Sequence, residues 1–210
     1  MESGREEFIE ALDTHAATFG ARLDGAARAR LADYFELVGR WNARLHLVAP
    51  CPPEEFAVRH VLESLAAAER LGEGARFLDI GSGAGLPAIP CLVARPDLSA
   101  ALVEASAKKC VFLREAASAL DLRARVRVIK SRFEATAAPE ADAVTCRALE
   151  RFAELLPEIL NWSPPGARLL LFGGSAIGEA LERAGRSFKP FLIPESERRF
   201  LFVVQPRTEL

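Results

Sequence analysis

The chain has 210 residues, of which 50% are hydrophobic, and its formal net charge at pH 7 is −2. This length and composition suffice for one buried core with an additional helical segment, and the slightly acidic total gives no indication of nucleic-acid binding by the whole molecule. The four cysteines, Cys51, Cys91, Cys110 and Cys146, are too widely spaced for a zinc site or a disulfide framework. The acidic N-terminus resembles no secretory signal, and no segment reaches the length of a membrane span. We therefore expect a reduced, cytoplasmic protein without a bound metal or a membrane contact.

The first part of the chain is predicted to be helical. Apolar residues recur at helical spacing over residues 8–19, 24–41 and 54–71. Prolines interrupt the pattern after the second helix, and a pair of glycines follows the third. We predict an N-terminal helical extension over residues 1–72, packed on a second domain formed by residues 73–210.

From residue 76 onward, predicted strands alternate with predicted helices, which is typical of a mostly parallel α/β sheet with helices on both faces. The strands are expected at 76–80, 99–104, 125–130, 142–147, 168–173 and 199–204, and the helices at 85–94, 106–120, 150–161 and 176–186. Ligands of such sheets bind beyond the carboxyl ends of the strands. Four segments follow predicted strands and should meet there: 81–85, Glu104, 131–134 and 145–147.

The most informative stretch is RFLDIGSGAGLPAIP at residues 76–90. A short apolar strand leads into Gly81, Gly83 and Gly85, and glycine lets the backbone approach a ligand that a Cβ atom would exclude. Dinucleotide-binding turns have the spacing GxGxxG and place a pyrophosphate on the following helix. The spacing here is GxGxG and is followed by Leu86 and a proline. This favours a nucleoside cofactor without phosphate, such as S-adenosylmethionine.

A carboxylate supports this interpretation of the turn. Glu104 stands at the tip of the next predicted strand, where a carboxylate can accept hydrogen bonds from both hydroxyls of a ribose. Without Glu104, a glycine turn that binds no ligand would explain the pattern equally well.

Basic residues are concentrated in the middle of the chain. Residues 108–132 contain eight lysines and arginines against two acidic residues. Such a segment can form a local phosphate-binding patch despite an acidic total, or it can be a solvated helix face. Arg132 is the strongest candidate for a phosphate contact because it lies at a predicted strand tip beside the crevice.

Several motifs occur together in one order over about residues 34–174. They are Arg40-Trp41-Asn42, RHVLESL at 59–65, FLDIGSGAGLPAIP at 77–90, ARPDLSAALVEASAKKCVFLREAASAL at 94–120, SRFEA at 131–135 and CRAL at 146–149. In this set the chain resembles the small-subunit (16S) rRNA guanine-N7 methyltransferases, a family once named for glucose-inhibited division. The glycine motif alone would indicate only a class I methyltransferase, whereas the tract 94–120 is much more specific.

The resemblance implies a class I (Rossmann-like) methyltransferase fold, S-adenosylmethionine as methyl donor and a guanine of small-subunit rRNA as acceptor. It implies cofactor contacts from Gly81, Gly83, Leu86, Glu104, Phe133, Glu134 and Arg147, with Arg147 also the catalytic residue that faces the substrate. Arg132, Lys108 and Lys109 are the expected RNA contacts. The expected partner is small-subunit rRNA or an assembling ribosomal subunit, and we expect the enzyme to be a monomer.

The expected chemistry needs few side chains. Guanine N7 carries a lone pair and no proton, so methyl transfer to it needs no general base, and the enzyme has to hold N7 in line with the methyl group. Arg147 could bind the guanine O6 edge or a phosphate; an ion pair with Glu150 or Glu154 is the alternative. His60 and Trp41 are expected to support the site structurally.

The chain departs from the family pattern at several positions. His46-Leu47-Val48 replaces Asn-Leu-Thr, Ala88 replaces a glycine, Glu63 replaces an aspartate, and Gly173 stands where a lysine is usual at the end of the fifth strand. Because glycine cannot bind RNA as lysine does, two alternatives stay open. One is a methyltransferase acting on a small molecule, and the other is a non-catalytic module that binds the cofactor or the ribosome.

Overall fold

The structure of the protein is a computed structural model that describes residues 2–149 and 151–207. Its α-helices are α1 Glu2–His15, α2 Gly25–Leu45, α3 Pro53–Glu55, α4 Glu63–Ala68, α5 Ala88–Ala94, α6 Ala107–Ala119, α7 Phe152–Trp162 and α8 Ser175–Arg183. Its strands are β1 Arg76–Ile80, β2 Ser99–Glu104, β3 Val126–Lys130, β4 Ala143–Arg147, β5 Arg168–Gly173, β6 Phe188–Leu192 and β7 Phe200–Val204. A π-helical segment, Phe56–Leu62, joins α3 to α4, and a 3-10 turn, Phe133–Ala135, follows β3.

The seven strands form one sheet in the order β3-β2-β1-β4-β5-β7-β6. Neighbouring strands from β3 to β5 are parallel, whereas β7 is antiparallel to both β5 and β6. The predicted mostly parallel α/β sheet and its six predicted strands are confirmed. β6 was not predicted, because it is an edge strand whose burial alternates only weakly and which contains a proline.

The helical segments near the N-terminus pack directly on the α/β sheet. Tyr34 and Leu37 of α2 are fully buried in the same apolar cluster as Leu92 of α5, Phe112 of α6 and Phe77 of β1. Burial of each such side chain contributes about 1.5–3 kcal/mol to folding. The extension therefore shares the main core, while the division of the chain at residue 72 stays a prediction.

The predicted third helix contains a distortion. The segment Phe56–Leu62 is π-helical, and it closes with a hydrogen bond from the Glu63 amide to the carbonyl of Val58, five residues earlier. Widened turns of this kind are rare and occur most often at functional sites. This one places Arg59 and His60 beside the carboxyl end of β4.

Within residues 2–149 and 151–207, no helix combines the length and apolar character needed to cross a membrane. The same residues contain no group of three or more His, Cys, Asp or Glu side chains arranged to hold a metal ion.

Candidate functional site

The carboxyl ends of the parallel strands form one edge of the sheet, and all four predicted site segments lie at this edge. β1 ends at Ile80 before the glycine turn, β2 ends at Glu104, and β4 ends at Arg147. The turn Phe133–Ala135 follows β3 on the same side. The strand order reverses between β1 and β4, which is where sheets of this type bind their ligands. The expected convergence of the four segments is confirmed.

The glycine turn has a backbone conformation that favours glycine at three positions. Gly81, Gly83 and Gly85 have positive φ angles of 67°, 51° and 86°, a region that L side chains rarely adopt. A Cβ atom on Gly85 would lie 2.3 Å from Cδ1 of Ile89, so packing alone demands glycine there. The nearest atom to a Cβ on Gly83 is 3.6 Å away, in the turn itself. A Cβ atom on Gly83 would thus make only an ordinary van der Waals contact, and Leu86 is buried where the turn ends.

Glu104 is held in place by the two backbone segments on either side of it. Its Oε2 atom accepts a hydrogen bond from the amide of Gly83 at 2.9 Å, and its Oε1 atom accepts one from the amide of Ser106 at 2.7 Å. Its carboxylate is thus fixed between the glycine turn and the start of α6. Each oxygen keeps a lone pair that can accept a hydrogen bond from a ribose hydroxyl. The position fits the predicted role of Glu104.

Asp79 is a site residue that the sequence analysis missed. It is fully buried in β1, and its Oδ1 atom accepts a hydrogen bond from the hydroxyl of Thr145 at 2.7 Å. Its Oδ2 atom has no partner in the described part of the chain. Burial raises the pKa of Asp79 to about 7, although the neighbouring hydroxyl groups of Thr145 and Ser82 oppose this shift. An acidic residue two positions before the first glycine was the available signal.

The glycine turn is also tied to the N-terminal helices. Tyr34, in the middle of α2, is fully buried, and its hydroxyl donates a hydrogen bond of 2.7 Å to the carbonyl oxygen of Ala84. This bond connects the helical extension directly to the turn that approaches the ligand. Nothing in the local sequence around Tyr34 distinguishes it from an ordinary core residue.

Arg147 is anchored by the helical extension. Its side chain is only 14% exposed, and its Nη2 atom lies 3.1 Å from Oε2 of Glu63. Its Nη1 atom donates to the hydroxyl of Ser64 at 3.2 Å, and Nη2 also donates to the carbonyl oxygen of Arg59. Three residues of the π-helical and α4 segments thus set the orientation of this guanidinium.

The ion pair that was considered as an alternative for Arg147 is not formed with α7. Glu154 instead accepts a hydrogen bond of 2.6 Å from Nε of Arg151. Glu150, the other candidate, lies outside the described residues. The partner of Arg147 on α4 was not predicted because the two residues are far apart in the sequence.

Glu63 binds a second arginine that the sequence analysis also missed. Its Oε1 atom accepts a hydrogen bond of 2.8 Å from Nε of Arg199. Arg199 precedes β7, and β7 runs antiparallel to β5 with Phe200 opposite Gly173. The start of β7 therefore lies at the same edge as the carboxyl end of β5. Glu63 joins Arg147 and Arg199 across this edge, and this arrangement depends on a pairing that sequence patterns do not reveal.

The glycine at the end of β5 has a packing role. A Cβ atom on Gly173 would lie 2.6 Å from Cγ1 of Ile177 in α8, so a side chain at this position would require Ile177 to move. Arg147 lies over the ring of Phe172, with 5.6 Å between its Cζ atom and the ring centroid. Arg147 and Arg199 lie near this strand end, where the family pattern would place a lysine.

His60 and Trp41 pack as the sequence analysis expected of structural supports. His60 lies edge-on to Phe56 with 5.1 Å between ring centroids. Burial, followed by the charges of Arg147 and Arg59, lowers the pKa of His60 to about 4. Trp41 lies edge-on to Phe112 at 6.0 Å, and a separate hydrogen bond ties its indole nitrogen to α6. His60 is therefore neutral at physiological pH.

The turn after β3 presents one apolar and two charged residues. Phe133 is buried edge-on against Trp162 with 5.8 Å between ring centroids. Glu134 lies 3.2 Å from the exposed guanidinium of Arg132. Burial works against ionisation of Glu134, but hydrogen bonds and the charge of Arg132 outweigh it and lower the pKa of this carboxyl. Arg132 is thus already paired, while the cofactor contacts of Phe133 and Glu134 stay predictions.

The basic tract is divided between opposite edges of the sheet. Lys108 and Lys109 lie on the first turn of α6, directly after β2 and beside the site, and Lys108 is exposed. Arg125 lies at the other edge, where its guanidinium donates to the carbonyl oxygens of Leu92 and Leu98 at 3.0 and 2.8 Å. Arg125 therefore stabilises the end of α5. A single phosphate-binding patch along the whole tract is not formed.

The sheet order, the glycine turn and the strand-tip carboxylate together define a class I, Rossmann-like methyltransferase. The solved ribosomal protein L11 methylase from Lactobacillus delbrueckii subsp. bulgaricus has this fold. It superposes with a TM-score of 0.57 and 15% identity, and the match covers 71% of this chain and 79% of that one.

Comparison of sequences identifies the family. Residues 27–190 match the family described as rRNA small subunit methyltransferase G. The ribosomal RNA small subunit methyltransferase G of Anaeromyxobacter dehalogenans is 38% identical over 183 residues, which cover 85% of this chain and 82% of the relative. The protein of that name from Xanthomonas axonopodis pv. citri is 42% identical over 153 residues, covering 72% and 71%. The chain belongs to the rRNA small subunit methyltransferase G family.

The cofactor of this methyltransferase is S-adenosylmethionine, and the residues present fit it. The unpartnered Oδ2 atom of Asp79 is a buried acceptor that an ammonium group of the ligand can satisfy. Gly83 leaves space for close approach, and Glu104 offers acceptors for a ribose.

Proposed function

We propose that this protein transfers a methyl group from S-adenosylmethionine to N7 of a guanine in small-subunit (16S) rRNA. The observation that carries the proposal is the meeting of the family's motif residues at one strand edge, with acidic groups suited to the cofactor on one side and Arg147 on the other. The bound cofactor supplies a methyl group on an activated sulfonium. The protein's own residues supply binding and orientation.

The cofactor half of the site consists of the glycine turn and four acidic or aromatic positions. Glu104 would accept the ribose hydroxyls, Phe133 and Glu134 would border the adenine, and Asp79 would face the ammonium group. Gly81, Gly83 and Leu86 would line the part of the cofactor site between these side chains. A carboxylate that is already oriented loses little entropy when it binds a ligand, so the fixed position of Glu104 favours tight binding.

The acceptor half of the site depends on Arg147. Its contacts with Glu63, Ser64 and the carbonyl of Arg59 hold the guanidinium in one orientation. A fixed guanidinium can donate to the O6 edge of a guanine or to a neighbouring phosphate and leave N7 free to attack the methyl group. Because N7 loses no proton, positioning alone supplies the catalysis. Because its pKa is lowered to about 4, His60 is a weak base, which agrees with a site that needs no proton transfer.

The finer features of the protein are proposals of the same kind. The enzyme would act as a monomer without a metal ion in the cytoplasm, on rRNA or on an assembling small subunit. Arg132, Lys108 and Lys109 would contact the RNA, although Arg132 would first have to leave Glu134.

In vitro methyl transfer tests the proposal. Purified protein and S-adenosylmethionine with a labelled methyl group are incubated with small-subunit rRNA, or with small ribosomal subunits, from a strain that lacks the gene. We expect label at N7 of one guanine, and the comparison of the two substrates identifies the preferred one. Cofactor binding without transfer to either substrate would support the non-catalytic alternative, and transfer to a metabolite pool free of RNA would support the small-molecule alternative.

A further inference from the structure

Helices α2 and α6 pack antiparallel, and this brings their basic ends together beside the site. Near the start of α2, the guanidinium of Arg30 donates to the carbonyl oxygen of Leu120, at the end of α6. Later in α2, the indole nitrogen of Trp41 donates to Oε1 of Glu115 at 3.0 Å. A residue later in α2 therefore contacts a residue earlier in α6. The carboxyl end of α2 therefore lies near the first turn of α6.

Three exposed cations occupy these neighbouring helix ends. Arg40 and Arg44 lie one turn apart on α2, so they share a face of the helix, and Lys108 lies on the first turn of α6. We call these three residues the α2–α6 ridge. The first turn of α6 directly follows Glu104, whose Oε1 atom binds the amide of Ser106. The ridge is thus continuous with the ribose end of the cofactor site.

The charges of the ridge are not compensated by ion pairs with any described residue. Within the residues that the structure describes, none of the three forms an ion pair, whereas exposed arginines elsewhere do, for example Arg28 with Asp13 and Arg132 with Glu134. The nearest carboxylate on α6, Glu115, is bound to Trp41. A cation that forms no ion pair within the protein can bind a polyanion without first breaking such a pair.

We propose that the α2–α6 ridge binds the phosphodiester backbone of the RNA substrate next to its target nucleotide. This inference rests on the proposed function, since it takes RNA as the substrate, but it concerns binding and not methyl transfer. Phosphate contacts hold the register of a nucleic acid and release counterions, so they produce a steep dependence of affinity on salt. The ridge adds to the proposed contact of Arg132, which would first have to leave Glu134.

The test compares two sets of substitutions by fluorescence anisotropy with unmodified, labelled small-subunit rRNA transcript and saturating S-adenosylhomocysteine. The ridge variant is R40A/R44A/K108A. The matched control is R123A/R127A, which removes two exposed cations without ion pairs in the described structure, near or at the start of β3 on the opposite edge of the sheet. The salt slope is the slope of the logarithm of the binding constant against the logarithm of the salt concentration. Each lost phosphate contact should lower its magnitude by about 0.7–0.9.

For the ridge variant we expect a slope smaller in magnitude by roughly 2 and an affinity reduced on the order of tenfold or more at moderate salt. The control should bind like the wild type. The substitutions R40K/R44K should retain binding, because lysine also contacts phosphate as a point charge. Thermal unfolding and titration with S-adenosylhomocysteine show that each variant is folded.

A wild-type salt slope in the folded ridge variant would overturn the inference, as would an equal loss in the control variant or no RNA binding by the wild type. The two proposals fail in different ways. If the rRNA binds through the ridge but is not methylated, the proposed function fails and the ridge stands. If the ridge variant methylates and binds rRNA normally, only the ridge fails.

Discussion

The hydroxyl of Tyr34 donates a hydrogen bond of 2.7 Å to the carbonyl oxygen of Ala84, fifty residues further along the chain. Both groups are buried, and Ala84 lies inside the glycine turn between Gly83 and Gly85. The turn that approaches the cofactor is therefore held from behind by helix α2. The N-terminal helices therefore support the glycine turn and do not merely cover the sheet.

Replacing Tyr34 by phenylalanine should weaken both folding and cofactor binding. The carbonyl oxygen of Ala84 would stay buried without its partner, which costs about 1–3 kcal/mol of stability, and the glycine turn would lose its support. We expect a several-fold weaker affinity for S-adenosylhomocysteine, measured by calorimetry. S163A is the matched control, because it removes a buried hydrogen bond of 2.7 Å to Ile159 in α7, remote from the turn. If both variants bind the cofactor equally well, Tyr34 does not position the turn.

The glycines of the turn should respond differently to alanine. At Gly83 the added Cβ atom meets nothing closer than 3.6 Å, so the expected cost to folding is about 1–2 kcal/mol for the left-handed backbone. At Gly85 the Cβ atom would lie 2.3 Å from Ile89, and the core would have to move. We predict that G83A folds but loses cofactor affinity, whereas G85A loses stability first. Urea unfolding and calorimetric titration of both variants distinguish these effects, and normal cofactor affinity in folded G83A would contradict the account.

Asp79 should make stability depend on pH. Its pKa is about 7 in the folded protein and near 3.8 when unperturbed. Between these values the folded state holds a proton that the unfolded state has lost, so the contribution of Asp79 to stability falls as the pH rises from about 4 to about 7. The variant D79N lacks this decrease. The decrease in unfolding free energy from about pH 5 to about pH 8 should therefore be larger in the wild type than in D79N by a few kcal/mol. Parallel pH profiles would show that Asp79 titrates normally.

Cofactor binding should displace the proton on Asp79. An ammonium group beside the carboxylate favours its ionised form. We expect affinity for S-adenosylhomocysteine to rise with pH up to about 7, with proton release near about pH 6 that calorimetry detects in buffers of different ionisation enthalpy. The same titration with D79N should release no proton from this position. Equal proton release by both proteins would place the ammonium group elsewhere.

Glu63 should be essential for the arrangement of the two arginines. Its carboxylate is buried and binds both Arg147 and Arg199. The variant E63Q would leave two guanidinium groups close together without a counter-charge, and breaking a buried ion pair in this way costs about 3–5 kcal/mol. We expect a large loss of stability in urea unfolding. The control E115Q, at an exposed position on α6, should unfold like the wild type, and a stable E63Q protein would show that the arginines do not need the carboxylate.

Much of the fold could be predicted from the sequence because it depends on local patterns. Alternating apolar strands and helices indicated the parallel sheet, and the glycine spacing indicated the tight turn after β1. Glu104 was found because the end of a strand fixes where a carboxylate lies. Each of these inferences used residues within one element or its immediate neighbour.

The rest of the site depends on contacts between distant parts of the chain. The partner of Arg147 is Glu63, 84 positions away, and Arg199 joins them only because β7 enters the sheet antiparallel. Arg125 belongs to the basic tract in sequence, yet it caps α5 at the opposite edge. These pairings cannot be predicted from charge or composition. The end of β5 has glycine where the family pattern has lysine, and only the antiparallel pairing of β7 places Arg199 beside it.

The most direct test of the central claim is a mass-spectrometric map of 7-methylguanine in small-subunit rRNA from a strain that lacks this gene. We predict that one 7-methylguanine is lost in the deletion strain. Wild-type protein should restore it, whereas R147A should not, even when the variant is folded and present at the same level. An unchanged map in the deletion strain would contradict the account.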